Sequence, residues 1–136
     1  MQLLTKETDY AVRALINLSS NPEVQNNAKL IAEKEDIPYH FLRRILQRLG
    51  ENGFIETKKG INGGIKLLRD PARINVSELI ELFQGNIELS SCMFRKNICR
   101  NRSKCVLRKK IRTIEKTVTD EFRNITIESL YKGTME

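Results

Sequence analysis

Three cysteines lie within fourteen residues, Cys92, Cys99 and Cys105, and the stretch from Cys92 to Arg112 holds nine Lys or Arg and no acid. Such an uncompensated run of cations repels itself unless something anionic gathers it. Three thiolates around a metal would do so, because the thiolate is the ligand form and neighbouring cations favour it. The spacing, Cys-x6-Cys-x5-Cys, is not the paired Cys-x2-Cys of a zinc ribbon, and there is no fourth cysteine. An odd count also argues against a disulfide framework. These residues point to a metal or cluster site of the kind that senses. Enzyme chemistry on a cysteine is disfavoured, since no histidine lies near the three thiols and no glycine-rich phosphate loop is present.

The elements that must position this segment are read from charge and periodicity. The chain has 136 residues and a formal charge of +7. Residues 38–69 carry seven bases against two acids, and the flanking stretches 1–37, 70–91 and 113–136 are each mildly acidic. Two basic blocks on an acidic body suggest a polyanion partner, nucleic acid before membrane. Met1-Gln-Leu-Leu runs at once into Lys6, Glu7 and Asp9, and no apolar run approaches the roughly 20 residues of a membrane span. A cytoplasmic protein with no membrane partner is expected.

Ala11, Ala14, Leu15 and Leu18 predict a first helix over Thr5–Ser20, ended by Pro22. Asn27 caps a second, shorter helix that stops before Ile37-Pro38. A third follows with Phe41, Leu42, Ile45, Leu46 and Leu49 on its inward face, closed by Gly53. Two short alternating segments around Gly60–Gly64 predict a β-hairpin bearing Lys58, Lys59 and Lys66. Three helices before a basic hairpin give the winged helix-turn-helix order. Asn75 and Glu78 form a capping box for a short helix. A long helix then runs from about Ser103 to Asn124, with an apolar stripe at Leu107, Ile111, Ile114, Val118 and Phe122, before a last short helix capped by Thr126. One stripe on a long terminal helix needs a cover, and the simplest is its twin in a homodimer. The fold class is therefore mainly α with a small hairpin wing. The expected division is a DNA-binding domain over 1–85, a cysteine-rich segment over 86–103, and a dimerisation helix with its short partner over 104–136.

Thr8-Asp-Tyr-Ala-Val-Arg-Ala-Leu15, Leu46-Gln-Arg-Leu49, Gly60-Ile-Asn-Gly-Gly-Ile65 and the cysteine segment together resemble the Rrf-two family of bacterial regulators, over nearly the whole chain. The resemblance implies a homodimeric winged-helix regulator, expected to be a repressor, that binds a two-fold double-stranded DNA operator and carries an iron–sulfur cluster beside the dimerisation helix. Some members supply a histidine three residues after the last cysteine. Here that position is Arg108, which has no lone pair to donate. NsrR-type members instead use an acidic residue near the N-terminus of the other subunit, and Asp9 matches that position. The implied ligands are Cys92, Cys99, Cys105 and Asp9, around a 4Fe-4S cluster with 2Fe-2S as the alternative, and the implied signal is nitric oxide. Asp9 also stands four residues before Arg13, where an ordinary ion pair would form.

In a helix-turn-helix the second helix meets base edges with its N-terminal residues. That places Pro38, Tyr39, His40, Arg43 and Arg44 at the DNA, with Arg48 further along and Lys58 and Lys59 on phosphates or the minor groove. His40 is the single histidine and reads as a polar DNA contact rather than a ligand. Control of iron supply or of cluster biogenesis is the alternative role within this class. A zinc-stabilised interaction module is the alternative outside it.

Overall fold

The computed structural model describes residues 2–22, 26–61, 63–89 and 104–133. Cys92 and Cys99, with most of the cysteine-rich segment, lie outside the described residues. Helix α1 (Lys6–Ser20) begins where the Thr5 side chain accepts the N–H of Thr8, and it buries Ala11, Ala14, Leu15 and Leu18. Two alanines on that face leave room for neighbouring helices to approach. Helix α2 (Ala28–Glu35) begins at Asn27, whose Oδ1 accepts the N–H of Leu30 at 2.9 Å. It stops at Asp36, which adopts the left-handed conformation (φ 53°, ψ 49°), and the N–H of Ile37 turns back to the Ala32 carbonyl at 2.9 Å. Aspartate is among the few non-glycine residues that tolerate this region.

That turn launches helix α3 (Tyr39–Glu51) from Pro38. Leu42, Ile45, Leu46 and Leu49 are buried and pin it against α1 and α2. Phe41, expected on the inward face, is 43% exposed. The four aliphatic residues already complete a stripe at i, i+3, i+4 and i+7, and Phe41 sits one position to its side. Gly53 then takes a positive φ of 79°, which lets the N–H of Phe54 cap the helix on the Leu49 carbonyl at 3.0 Å.

Strands β1 (Ile55–Lys58) and β2 (Gly64–Leu67) pair antiparallel, Ile55 opposite Leu67 and Lys58 opposite Gly64. Their loop is so close that a Cβ on Gly63 would stand 2.2 Å from the Lys58 carbonyl oxygen, so only glycine fits. The N–H of Ile65 also bonds the Asn26 carbonyl at 2.9 Å, which fastens the wing to the start of α2. A 3-10 turn (Pro71–Arg73) leads into α4 (Val76–Gln84), whose Asn75–Glu78 capping box is formed on both sides.

Helix α5 (Val106–Arg123) is capped by Cys105, and α6 (Ile127–Lys132) by Thr126. The chain returns here to the body. Val76 donates to the Ile125 carbonyl and Ile127 to the Ile74 carbonyl, both at 2.9 Å, and Ile127 is fully buried in the core shared with α1. Helix α5 itself packs on α4. None of its 18 residues is buried, and Leu107 and Ile114 are 67% and 51% exposed. Among the described residues, no helix is long and apolar enough to cross a membrane.

Candidate nucleic-acid interface and metal centre

The outward face of α3 is built from the residues its core stripe leaves over. Pro38, Tyr39, His40, Arg43, Arg44 and Arg48 are all exposed. Tyr39 and His40 stand with ring centres 6.3 Å apart. The Arg43 guanidinium lies over the Tyr39 ring at 5.8 Å and that of Arg44 over Phe41 at 5.1 Å. Such contacts at exposed sites are worth about 0.5–1 kcal/mol each and restrain a long side chain. Neither arginine has an ion pair among the described residues. Both guanidiniums therefore present planar, unneutralised forks, the geometry that grips guanine O6 and N7. Arg48 leans the other way, over Phe83 of α4 at 5.7 Å, so it braces α3 against α4. Lys58, Lys59 and Lys66 project from the wing, all exposed.

Two structural features escaped the sequence reading. Phe41 is a surface platform for Arg44. The second is a knot of hydrogen bonds between α1 and the end of α4. Gln84 Oε1 accepts from the Thr5 N–H at 3.0 Å and from the Thr8 hydroxyl at 2.8 Å, while its Nε2 donates to the Leu3 carbonyl at 3.1 Å. Thr8 is fully buried. The Thr5–Thr8 spacing is a local signal for a cap, but nothing local announces a partner 76 residues away.

Of the sulfur candidates, Cys105 is described. Its Sγ sits at the N-terminal end of α5 and accepts the Arg108 N–H at 3.5 Å, and its exposure is intermediate. The positive end of a helix favours a negative sulfur. Lys104, Arg108 and Lys109 add cationic charge along the chain beside it. Asp9 lies in the first turn of α1 with its side chain 55% exposed, 3.6 Å from Arg13 Nε, so the ordinary ion pair is formed. Arg13 in turn donates from Nη1 to the Glu35 carbonyl at 3.1 Å, and Asn17 Nδ2 donates to Glu35 Oε1 at 3.1 Å. Asp9 thus adjoins a chain of contacts that ends on the last residue of α2, just before the turn into α3. A soft, partly exposed sulfur at a helix's positive end and an accessible carboxylate suit a thiolate-and-carboxylate donor set for an iron–sulfur cluster. The described residues alone contain no group of three or more potential metal ligands.

Residues 4–133 match the family described as "Rrf2: Iron-dependent Transcriptional regulator". The chain is 39% identical over 98 residues to the HTH-type transcriptional regulator NsrR of Shouchella clausii, covering 71% of this chain. It spans 66% of that relative's length, just under two thirds. Among solved structures it is similar to T. potens IscR, with a TM-score of 0.77, 20% identity, and 98% of this chain and 89% of that one covered. It is also similar to CymR, described as the global cysteine regulator of B. subtilis, with a TM-score of 0.76, 21% identity, and 99% and 100% coverage. With the arginine-bearing helix α3, a basic wing and a match across almost every residue, the chain belongs to the Rrf2 family of transcriptional regulators.

Proposed function

We propose that the protein is a homodimeric repressor whose operator affinity is set by an iron–sulfur cluster, and that nitric oxide is its signal. Cys92, Cys99 and Cys105 would hold the cluster together with Asp9 of the partner subunit, in the 4Fe-4S form. When bound, such a cluster supplies irons whose reactivity is tuned by nearby charge and hydrogen bonds. The observation that carries this reading is α5. Cys105 caps a helix of 18 residues, none buried, with Leu107 and Ile114 of its apolar stripe exposed.

The rest is work for the chain's own residues. Asp9 is held by Arg13, and Arg13 is held by the end of α2. Drawing Asp9 toward a ligand frees Arg13 to re-aim, and its hydrogen bond to Glu35 transmits the change toward the Asp36 turn and α3. On the other side, α5 packs on α4 and α4 is knotted to α1 through Gln84. These are contiguous contacts of the sort that carry coupling. A coupling of about 1–3 kcal/mol changes affinity roughly 5–150-fold, enough for a switch.

The test is an anaerobic preparation examined by visible absorption and metal content, before and after nitric oxide, with operator binding followed in parallel. Brown protein holding iron and sulfide, bleached by nitric oxide with loss of DNA binding, is the expected result. Colourless protein after reconstitution overturns the cluster, and zinc in its place favours a purely structural metal. Cys99→Ala should abolish the response and leave the fold intact.

A further inference from the structure

Arg69 comes two residues after β2, where the wing rejoins the body of the chain. Its guanidinium lies 4.6 Å from the centre of the Phe54 ring. Its Nη2 donates to Glu78 Oε1 at 3.0 Å, with Oε2 at 3.3 Å, and to the Arg73 carbonyl at 3.2 Å. Its two main partners are themselves fixed. Phe54 is buried; its N–H closes α3 on the Leu49 carbonyl, and its own carbonyl accepts the N–H of Leu68 at 2.9 Å, just past β2. Glu78 Oε2 also accepts the Asn75 N–H at 3.2 Å, as half of the capping box of α4. One side chain thus joins the end of α3, the base of the wing and the start of α4. A capping box is served by Glu or Gln at this position. The charge of Glu78 is what Arg69 uses.

We propose that Arg69 is a positioning residue for DNA binding: braced on Glu78, it fixes the angle of the wing against α3, so that Lys58 and Lys59 meet backbone phosphates while α3 lies in the major groove. The inference rests on the DNA-binding reading of α3 and the wing, and adds what holds the two in register. A lone two-stranded hairpin has little stability of its own, so its direction comes from what it packs against. Phosphate contacts carry no sequence information but fix register, and they do so only if the hairpin is held. Arginine suits this place because its planar cation stacks on a ring while its edge donates to a carboxylate, which the compact ammonium of lysine does not do together.

Glu78→Gln tests it, because glutamine still serves the capping box and gives up the charge that holds Arg69. Circular dichroism and thermal melting check the fold. Removing an acid makes the protein more cationic, so if Glu78 only caps α4, affinity for DNA stays the same or rises. With the wing's brace released, affinity should instead fall by about tenfold, the size of a lost hydrogen bond to a charged group. The fall should be alike on a duplex selected from a random pool and on an unselected one. The slope of affinity against salt should drop by about 0.9 for each wing phosphate given up. In that background Lys59→Ala should cost little more, since the lysine is already off its phosphate, and Arg43→Ala should keep its full effect on preference. Arg69→Lys, which keeps the charge but not the plane over Phe54, should show the same uniform loss to a lesser degree. A folded Glu78→Gln protein with wild-type affinity and slope overturns the proposal, and so does full additivity with Lys59→Ala. If Glu78→Gln does not fold, Arg69→Lys decides, and wild-type affinity and slope there overturn it. Lys59→Ala without effect in the otherwise wild-type protein removes the wing from the DNA, and this inference with it. An effective Lys59→Ala beside a silent Glu78→Gln removes this inference alone.

Discussion

Helices α3 and α5 carry similar amphipathic stripes, and the chain treats them in opposite ways. In α3, Leu42, Ile45, Leu46 and Leu49 are all buried, against α1, α2 and the wing. In α5, no residue is buried and Leu107 and Ile114 stand in the open. A stripe shows that a helix needs a cover, but not whether the cover belongs to the same chain. A helix proposed to read DNA must be rigid before DNA arrives, and the cover of α3 is internal. Among the described residues, nothing buries Leu107 or Ile114 of the α5 stripe.

Truncations on the two stripes should therefore read differently. Leu42→Ala removes a fully buried side chain and should cost about 2–5 kcal/mol, seen as a lower urea midpoint with unchanged slope. A loss below about 0.5 kcal/mol, the range of surface changes, would mean the α3 core is misassigned. Ile114→Glu should leave the secondary structure of the protomer intact and shift the assembly to monomer in sedimentation equilibrium. A variant that remains dimeric would break the comparison, because the stripe would then have another purpose.

The outer face of α3 sharpens it further. Arg43→Ala should erase about 1–3 kcal/mol of preference between selected and random duplexes. Lys59→Ala should instead weaken both alike and lower the salt slope by about 0.9. Equal losses on both duplexes for Arg43→Ala would demote that arginine to a phosphate contact. The smallest effect concerns α5's outer surface. The hydrogen bond from Lys116, at 2.6 Å, holds the Asp120 carboxyl below the usual carboxylate range, with help from the charge of Arg123. A carboxyl whose folded value is depressed stabilises above its unfolded value and loses that contribution as pH falls through the folded one. Asp120→Asn should therefore differ slightly from wild type in thermal melts at neutral pH, and the difference should vanish in strong acid.

Features fixed by near neighbours were legible in the sequence. The Asn27 cap, the Asn75–Glu78 box and the glycine-tipped wing each depend on residues a few positions apart, and each forms as expected. Asp9 was readable in two ways, and its pairing with Arg13 is the local one. Phe41 was misplaced because an aromatic beside an aliphatic stripe looks like part of it; only the completed packing shows that the stripe is full without it. Arg48 over Phe83 and the Gln84 knot could not be read at all, since their partners come from distant helices and carry no pattern of their own.

The rung formed by Asn75 and Thr126, with the bonds from Val76 to Ile125 and from Ile127 to Ile74, has a mechanical consequence. It makes a fulcrum at the far end of α5, opposite Cys105. An arm of 18 residues is about 27 Å long at 1.5 Å per residue. A tilt of roughly ten degrees about that fulcrum would carry the cysteine end about 5 Å over such an arm. Such a displacement at the sulfur would be geared down to a fine rotation at the base, next to the core that holds Ile127 and α1.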